Sequence, residues 1–209
     1  MIVETAALQQ MERRYRANFI NSLGGFKSLV LIGTSNEDGS GNLATFSSLF
    51  HLGADPALCG IIIRPAEPGQ NTLGNILRTK QYTLNHVLPD FYREAHQCSA
   101  KYPQGQSEFE AVGLQPHYAE GISAPFVQQS RIRFYCELVQ SMPVELNNTT
   151  LVIGAIRYID VPGDLVGDDG FIDLEAAGTV TCSGLDSYHT TRRLGRLRYA
   201  KAGTAPAEL

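Results

Sequence analysis

Apolar residues Leu8, Met11, Tyr15, Phe19 and Leu23 recur at helical spacing, which predicts one amphipathic helix over about Thr5–Ser22 within an N-terminal segment of residues 1–23. Gly24-Gly25 should stop it, because glycine readily takes the left-handed conformation that closes helices. The pattern then changes to unbroken apolar runs. Ser28–Thr34 is almost wholly apolar and predicts a strand buried on both faces. The turn-rich SNEDGSGN reverses the chain, and Leu43–Phe50 and Leu58–Arg64 follow as strands joined at Asp55-Pro56.

Beyond this point helices are inserted among strands rather than alternating with them. Asn71 or Thr72 can cap a short helix TLGNILRTK, and Asp90 can cap another, DFYREAHQCSAKY, with a strand at Tyr82–Leu88 between them. The polar stretch 107–127, broken by Gly and Pro, resists assignment. Arg131–Met142 and Thr150–Val161 read as long strands joined across VELNNTT, and Thr179–Cys182 as a last short strand. Residues 186–209 read as a partly helical tail. Recurrent hairpins with inserted helices favour a mainly β fold, a closed antiparallel barrel with peripheral helices in one domain spanning 1–209.

Composition narrows the function classes. A chain of 209 residues with 43% hydrophobic and 18% charged residues has the make-up of an ordinary globular protein. The net charge of -4 argues against nucleic acid as a partner, and the basic run Arg192, Arg193, Arg196, Arg198 and Lys201 reads as a solvated tail. No apolar run reaches membrane-spanning length. The start, MIVETAALQQMERRYR, lacks the apolar core of a signal peptide. Four scattered cysteines form no CxxC pair, and Cys59 and Cys136 sit in apolar runs where a thiol acts as a small hydrophobe. These features together point to a reduced, cytoplasmic protein.

Three motifs resolve as decoys. Gly39-Ser40-Gly41-Asn42-Leu43-Ala44 matches the GxGxxA fingerprint of an NADP-binding Rossmann enzyme, with Arg64 downstream. That fingerprint needs a helix straight after the glycines, whereas LATFSSLF is rich in strand-forming residues. GDDGFIDLE resembles a calcium loop, but placing Gly170 sixth puts Leu165 first and Ala176 twelfth, where oxygen ligands are needed. No GxSxG elbow supports a serine hydrolase, and the scattered histidines have no metal-ligand spacing, so no metal is expected.

The segment Asn42–Thr72 is different because its parts cooperate. Ser47, Ser48 and Thr72 carry hydroxyl donors, Arg64 carries a guanidinium, and the helix beginning at Thr72 offers backbone N–H groups. Such a set suits a phosphate, and the apolar strands beside it can wall a flat ring. The combination suggests a flavin mononucleotide (FMN) site.

The order and spacing of NLATFSSLFHLGADPALCGIIIRP, NTLGNI, YTLNHV, AHQCSAKY with SEFEAVGL, APFVQQS and GLDSYH resemble the flavin reductase-like family with the FMN-binding split-barrel fold, in particular its flavoredoxin-related members. The resemblance spans nearly the whole chain. It implies an antiparallel Greek-key split barrel with inserted helices, a homodimer, and FMN near the subunit interface. Carried onto this sequence, it has Ala44, Thr45 and Phe46 line the isoalloxazine, partly through backbone groups. Ser47 and Ser48 reach the ribityl chain or phosphate, and Arg64 with Gln70, Asn71 and Thr72 completes the phosphate cradle. Asn85, on the next strand, stands either at the flavin edge or behind the residues that touch the flavin, and His96, Tyr188 and His189 face the nicotinamide or substrate. Gln70 stands where the family pattern favours a basic residue. Gln carries no charge, so the cradle is weaker there. The implied activity is NAD(P)H-dependent flavin reduction, hydride passing from nicotinamide to flavin N5 with NADH or NADPH as co-substrate. A non-enzymatic flavin-binding electron carrier and a reductase of another small oxidant are the other readings the fold admits.

Overall fold

The apolar run around position 30 lies between two cores. In the computed structural model, which describes residues 1–65, 71–103 and 105–209, β1 (Lys27–Ser28) leads through Leu29 into β2 (Val30–Ser35). Val30 and Ile32 point into a core shared with Ile61, Tyr82, Leu84 and Val152. Leu29 and Leu31 point the other way, into a core with Leu43, Val87, Phe91 and Phe109. A strand buried on both sides must be apolar throughout, as its sequence is.

The hairpin after β2 turns at Gly39, whose φ of +83° suits glycine, and returns as β3 (Gly41–Phe46). No helix follows the GxGxxA glycines, so the dinucleotide fingerprint is only a hairpin. The strand expected over Leu43–Phe50 is divided. β3 ends at Phe46, a three-residue connection carries Ser47 and Ser48, and β4 (Phe50–Ala54) begins a new hairpin with β5 (Ala57–Ile63). The corner lets the chain pass from one edge of the sheet to the other, because β3 and β4 are its two outer strands.

α1 (Thr5–Gln10) and α2 (Arg13–Leu23) replace the single N-terminal helix that periodicity predicts. Met11 is extended, and the Glu12 carboxylate accepts from the N–H groups of Arg14 and Tyr15, restarting the helix. Neither helix buries a residue, so no tertiary contact overrides this local cap.

The remaining elements complete an antiparallel seven-stranded sheet in the order β3-β2-β6-β9-β10-β5-β4, with β6 (Gln81–His86), β9 (Arg133–Val144) and β10 (Thr149–Asp160). This is the expected β-rich split barrel. α3 (Thr72–Thr79) packs on β2 and β3. α4 (Tyr92–Gln97) and α5 (Glu108–Val112) cover the free edge of β3. The unassigned stretch holds α5 and the small β7–β8 ladder (Pro116–His117, Phe126–Val127). β11 (Thr181–Ser183) pairs with β1 on one side and with β12 (Ser187–His189) on the other, in a three-stranded sheet.

The expected helical character of residues 186–209 is not observed: β12 is followed by irregular chain that folds back on itself at an isolated bridge between Leu197 and Glu208. Tertiary contacts account for this. Arg193 pairs with Asp173 and Arg196 with Asp169, and the Arg196 guanidinium lies 4.0 Å from the centre of the Phe171 ring. These bonds tie the basic run to the loop before β11. Among the described residues no cluster of His, Cys, Asp and Glu could hold a metal ion. No helix is long and apolar enough to cross a membrane.

Candidate functional site

A cavity of about 700 Å³ opens along the free edge of β3, within the range of small-molecule sites. Its wall brings together Ala44, Thr45, Phe46, Ser47 and Ser48 from the β3–β4 corner. It adds Arg64 after β5, Asn71 and Thr72 at the start of α3, His96 from α4 and Tyr188 from β12. Gln70 lies outside the described residues. Asn85 and His189 are not on the wall. The buried Asn85 amide donates to the Leu31 carbonyl and the Thr83 hydroxyl and accepts from the Val127 N–H, so all of its bonds are structural. His189 lies 2.9 Å from the Ser183 hydroxyl, against Phe26, where it braces the smaller sheet.

The hydroxyls on the wall differ in what they have free. Ser48 accepts from the Ile62 N–H at 3.1 Å and returns its proton to the Ile62 carbonyl at 2.9 Å, which ties the corner to β5. Thr45 donates to the Ala95 carbonyl and so fastens β3 to α4. Ser47 sits against the Cys182 thiol. The buried Thr72 hydroxyl accepts from the Asn42 amide at 3.3 Å, and among the described residues no acceptor takes its proton.

One end of the cavity gathers groups that attract an anion. Asn71 does not cap α3 with its side chain, and among the described residues nothing accepts from the first-turn N–H groups, which lie at the positive end of the helix dipole. A polar network anchors that turn: Asn42 and Asn75 both donate to Thr34, and Asn75 also donates to Asn36 at 2.8 Å. Arg64 is exposed on the same wall. Sequence reasoning missed Asn147 and Thr149, which the β9–β10 hairpin swings onto this wall. It also missed Lys27, whose ammonium donates to the Gly184 carbonyl at 2.7 Å. Neither carries a motif; only the register of distant strands brings them here.

The edge of β3 supplies backbone groups. Leu43 directs its N–H away from β2 to a Glu108 carboxylate oxygen at 3.0 Å. In an antiparallel ladder the residue two further on points the same way, so Thr45 turns its N–H and C=O off the sheet edge along the wall. Leu29, Phe46, Leu73 and Leu185 give apolar surface beside it.

At the other end His96 Nδ1 lies 2.5 Å from the Tyr188 hydroxyl, and the Tyr92 ring packs on Tyr188. Burial raises the Tyr188 phenol above its ordinary value, so it stays protonated and can donate. Two thiols also line the cavity. Burial pushes Cys98 up to about 12 and raises Cys182, so neither is poised as a thiolate.

The flavin reductase like domain model matches residues 23–173. A solved protein from Shewanella frigidimarina NCIMB 400, assigned as a flavin reductase with a split barrel domain, is 48% identical, covers 96% of this chain and 100% of its own, and superposes with a TM-score of 0.92. Nitrilotriacetate monooxygenase component B from Bacillus cereus is 18% identical over 94% of this chain and 98% of its own, with a TM-score of 0.82. The 2-nitrobenzoate 2-nitroreductase of Pseudomonas fluorescens is 20% identical over 99% of each chain, with a TM-score of 0.81. These last two show the shared fold.

Proposed function

The chain belongs to the flavin reductase-like family, and on that premise we propose that it is an FMN-binding oxidoreductase that takes hydride from NADH or NADPH. The observation that carries this reading is the pairing, in one cavity, of an anion-receiving helix start with an open strand edge flanked by apolar side chains. The residues fit the group. Thr72, Asn71, Arg64 and the N–H groups of α3 would hold the phosphate. The Thr45 backbone would meet the donor and acceptor edge of the ring, with Ala44 and Phe46 beside it. Ser47 would meet the ribityl chain. Ser48 acts on the ligand only through the corner it secures, because its proton is taken by Ile62.

When bound, flavin supplies the hydride-accepting chemistry. The chain's own part is to orient the ring and to leave a face open near His96 and Tyr188, where a nicotinamide or another small oxidant would stack. The Tyr188 hydroxyl is the proton donor nearest that space on this reading. We place the protein in the cytoplasm as a homodimer. Buried free cysteines support the first. The exposed apolar side chains Phe50 and Leu52 on the outer strand β4 support the second.

The test is a titration with FMN followed by anaerobic mixing with NADH or NADPH. Saturable binding and prompt bleaching of the flavin absorption are expected. A protein that binds no FMN sinks the reading, and one that binds FMN but is never bleached is a carrier rather than a reductase.

A further inference from the structure

α5 takes the place of a missing strand. β3 is an outer strand of the sheet, so the backbone groups on its free edge have no ladder partner. The start of α5 supplies them. The Ser107 hydroxyl donates to the Gly41 carbonyl at 2.5 Å, and Glu108 accepts from the Leu43 N–H at 3.0 Å. Phe109 packs beneath Gly41, where a Cβ would touch that ring at 3.4 Å and crowd Pro125 at 3.1 Å.

Only one oxygen of Glu108 is used in this clamp. The residue also lines the cavity, and it is the one acid among the described residues that does so. A neutral glutamine would serve the clamp equally well, since its amide oxygen accepts the same bond. A carboxylate drawn out of water beside a ligand cavity has a cost that the Leu43 bond alone does not explain. Desolvation raises its pKa, as expected of a carboxyl partly withdrawn from solvent, and only backbone N–H groups counter it. Cys98 feels the same negative field, which helps to keep it a thiol. The cavity wall therefore carries the cations Arg64, Lys27 and Lys101 with the start of α3, and one acidic point on the β3 edge.

We propose that Glu108 is a positioning residue that holds β3 in register and, through its charge, opposes negative charge on a ring bound against that edge, so that flavin binds here more tightly oxidised than reduced. This rests on the flavin reading above. The acid also orients the ligand, since a phosphate placed against β3 would meet a like charge while a phosphate at α3 meets donors.

The experiment uses FMN as the probe, in its oxidised and dithionite-reduced forms, with wild type, Glu108→Gln and Glu108→Asn. Binding is followed by flavin fluorescence and absorption under argon. For Glu108→Gln we expect oxidised FMN to bind within about threefold of wild type. Reduced FMN should bind about tenfold more tightly relative to the oxidised form, which corresponds to a midpoint potential about 30 mV more positive for the two-electron couple. Glu108→Asn removes the same charge on a shorter side chain and is expected to show the same sign of shift if Glu108→Gln fails to fold. An unchanged ratio of the two affinities in either variant overturns the proposal, because a role confined to holding β3 would leave that ratio alone. Failure of the flavin reading is separately visible as absence of FMN binding by the wild type, and the proposal then falls with it.

Discussion

The Ser48 hydroxyl and the Ile62 backbone form a closed pair, the oxygen accepting from the N–H and the proton going to the carbonyl. This small lock fixes the corner between β3 and β4 against β5, and with it the wall that carries Ala44–Ser47. We predict that Ser48→Ala loses about 1–3 kcal/mol of stability in urea denaturation, because it strands a part-buried N–H and C=O. A variant as stable as wild type would mean that water replaces the hydroxyl without loss.

Thr72 and Arg64 are expected to read the phosphate and nothing else. Thr72→Ala should weaken FMN binding by about 1–3 kcal/mol, the range for hydrogen bonds to charged groups, and leave riboflavin affinity unchanged. Arg64→Ala should weaken FMN alone, with a loss that shrinks as salt rises, since Arg64 is exposed and screened. Titrating both flavins at two salt concentrations checks this. Equal losses for riboflavin and FMN would move the anion end of the cavity away from α3.

The longer strands, the inserted helices and one continuous part of the cavity wall could be read from the sequence because they rest on local pattern. Ala44–Ser48, Arg64 and Asn71–Thr72 lie within one stretch, and the fold keeps them together. Asn85 and His189 show where that reasoning stops. Each sits in a stretch that the resemblance flags, but the direction of its side chain depends on ladder register, which decides between cavity and core. Ser48 shows a subtler limit: its place on the wall was legible, yet the partner that takes its proton lies fourteen residues away on another strand. Glu108 lies in the SEFEAVGL stretch that the resemblance flags, but no site role was read for it, nor for Lys27 or Thr149, because each reaches the cavity through a long-range contact. The division of the N-terminal helix at Met11 arises because no tertiary contact favours continuity over the Glu12 cap.

Tyr82 and Gly154 are fitted to each other. A Cβ on Gly154 would stand 2.0 Å from the Tyr82 hydroxyl, which is buried beside Cys59 and Cys136 with no hydrogen-bond partner. We predict that Gly154→Ala destabilises by at least about 1–3 kcal/mol through overpacking. Tyr82→Phe should stabilise by about 1 kcal/mol, because an unpartnered buried hydroxyl is removed. In the double variant the Gly154→Ala loss should be smaller than in wild type, because the hydroxyl that the new Cβ meets is gone, as expected for residues in contact. Strict additivity in thermal or urea denaturation would show that the clash is relieved elsewhere.

His86 makes stability depend on pH. Its ring packs part-buried against Phe134, with Nδ1 3.1 Å from the Thr179 hydroxyl, and desolvation lowers its pKa from the ordinary 6.5 to about 4. Between those values the unfolded chain binds more protons than the folded one, so stability falls as pH drops from about 6.5 towards 4. The limit of this effect is about 3 kcal/mol. Glu108 acts in the opposite sense just above its ordinary 4.5, since its raised pKa makes the folded chain hold the proton longer. The informative quantity is therefore the difference between wild type and His86→Gln, which keeps a polar partner for Thr179 and does not titrate. That difference should shift in favour of the variant by up to about 3 kcal/mol between pH 7 and 4. Parallel curves in urea denaturation across this range would show that His86 gains its proton without leaving the fold.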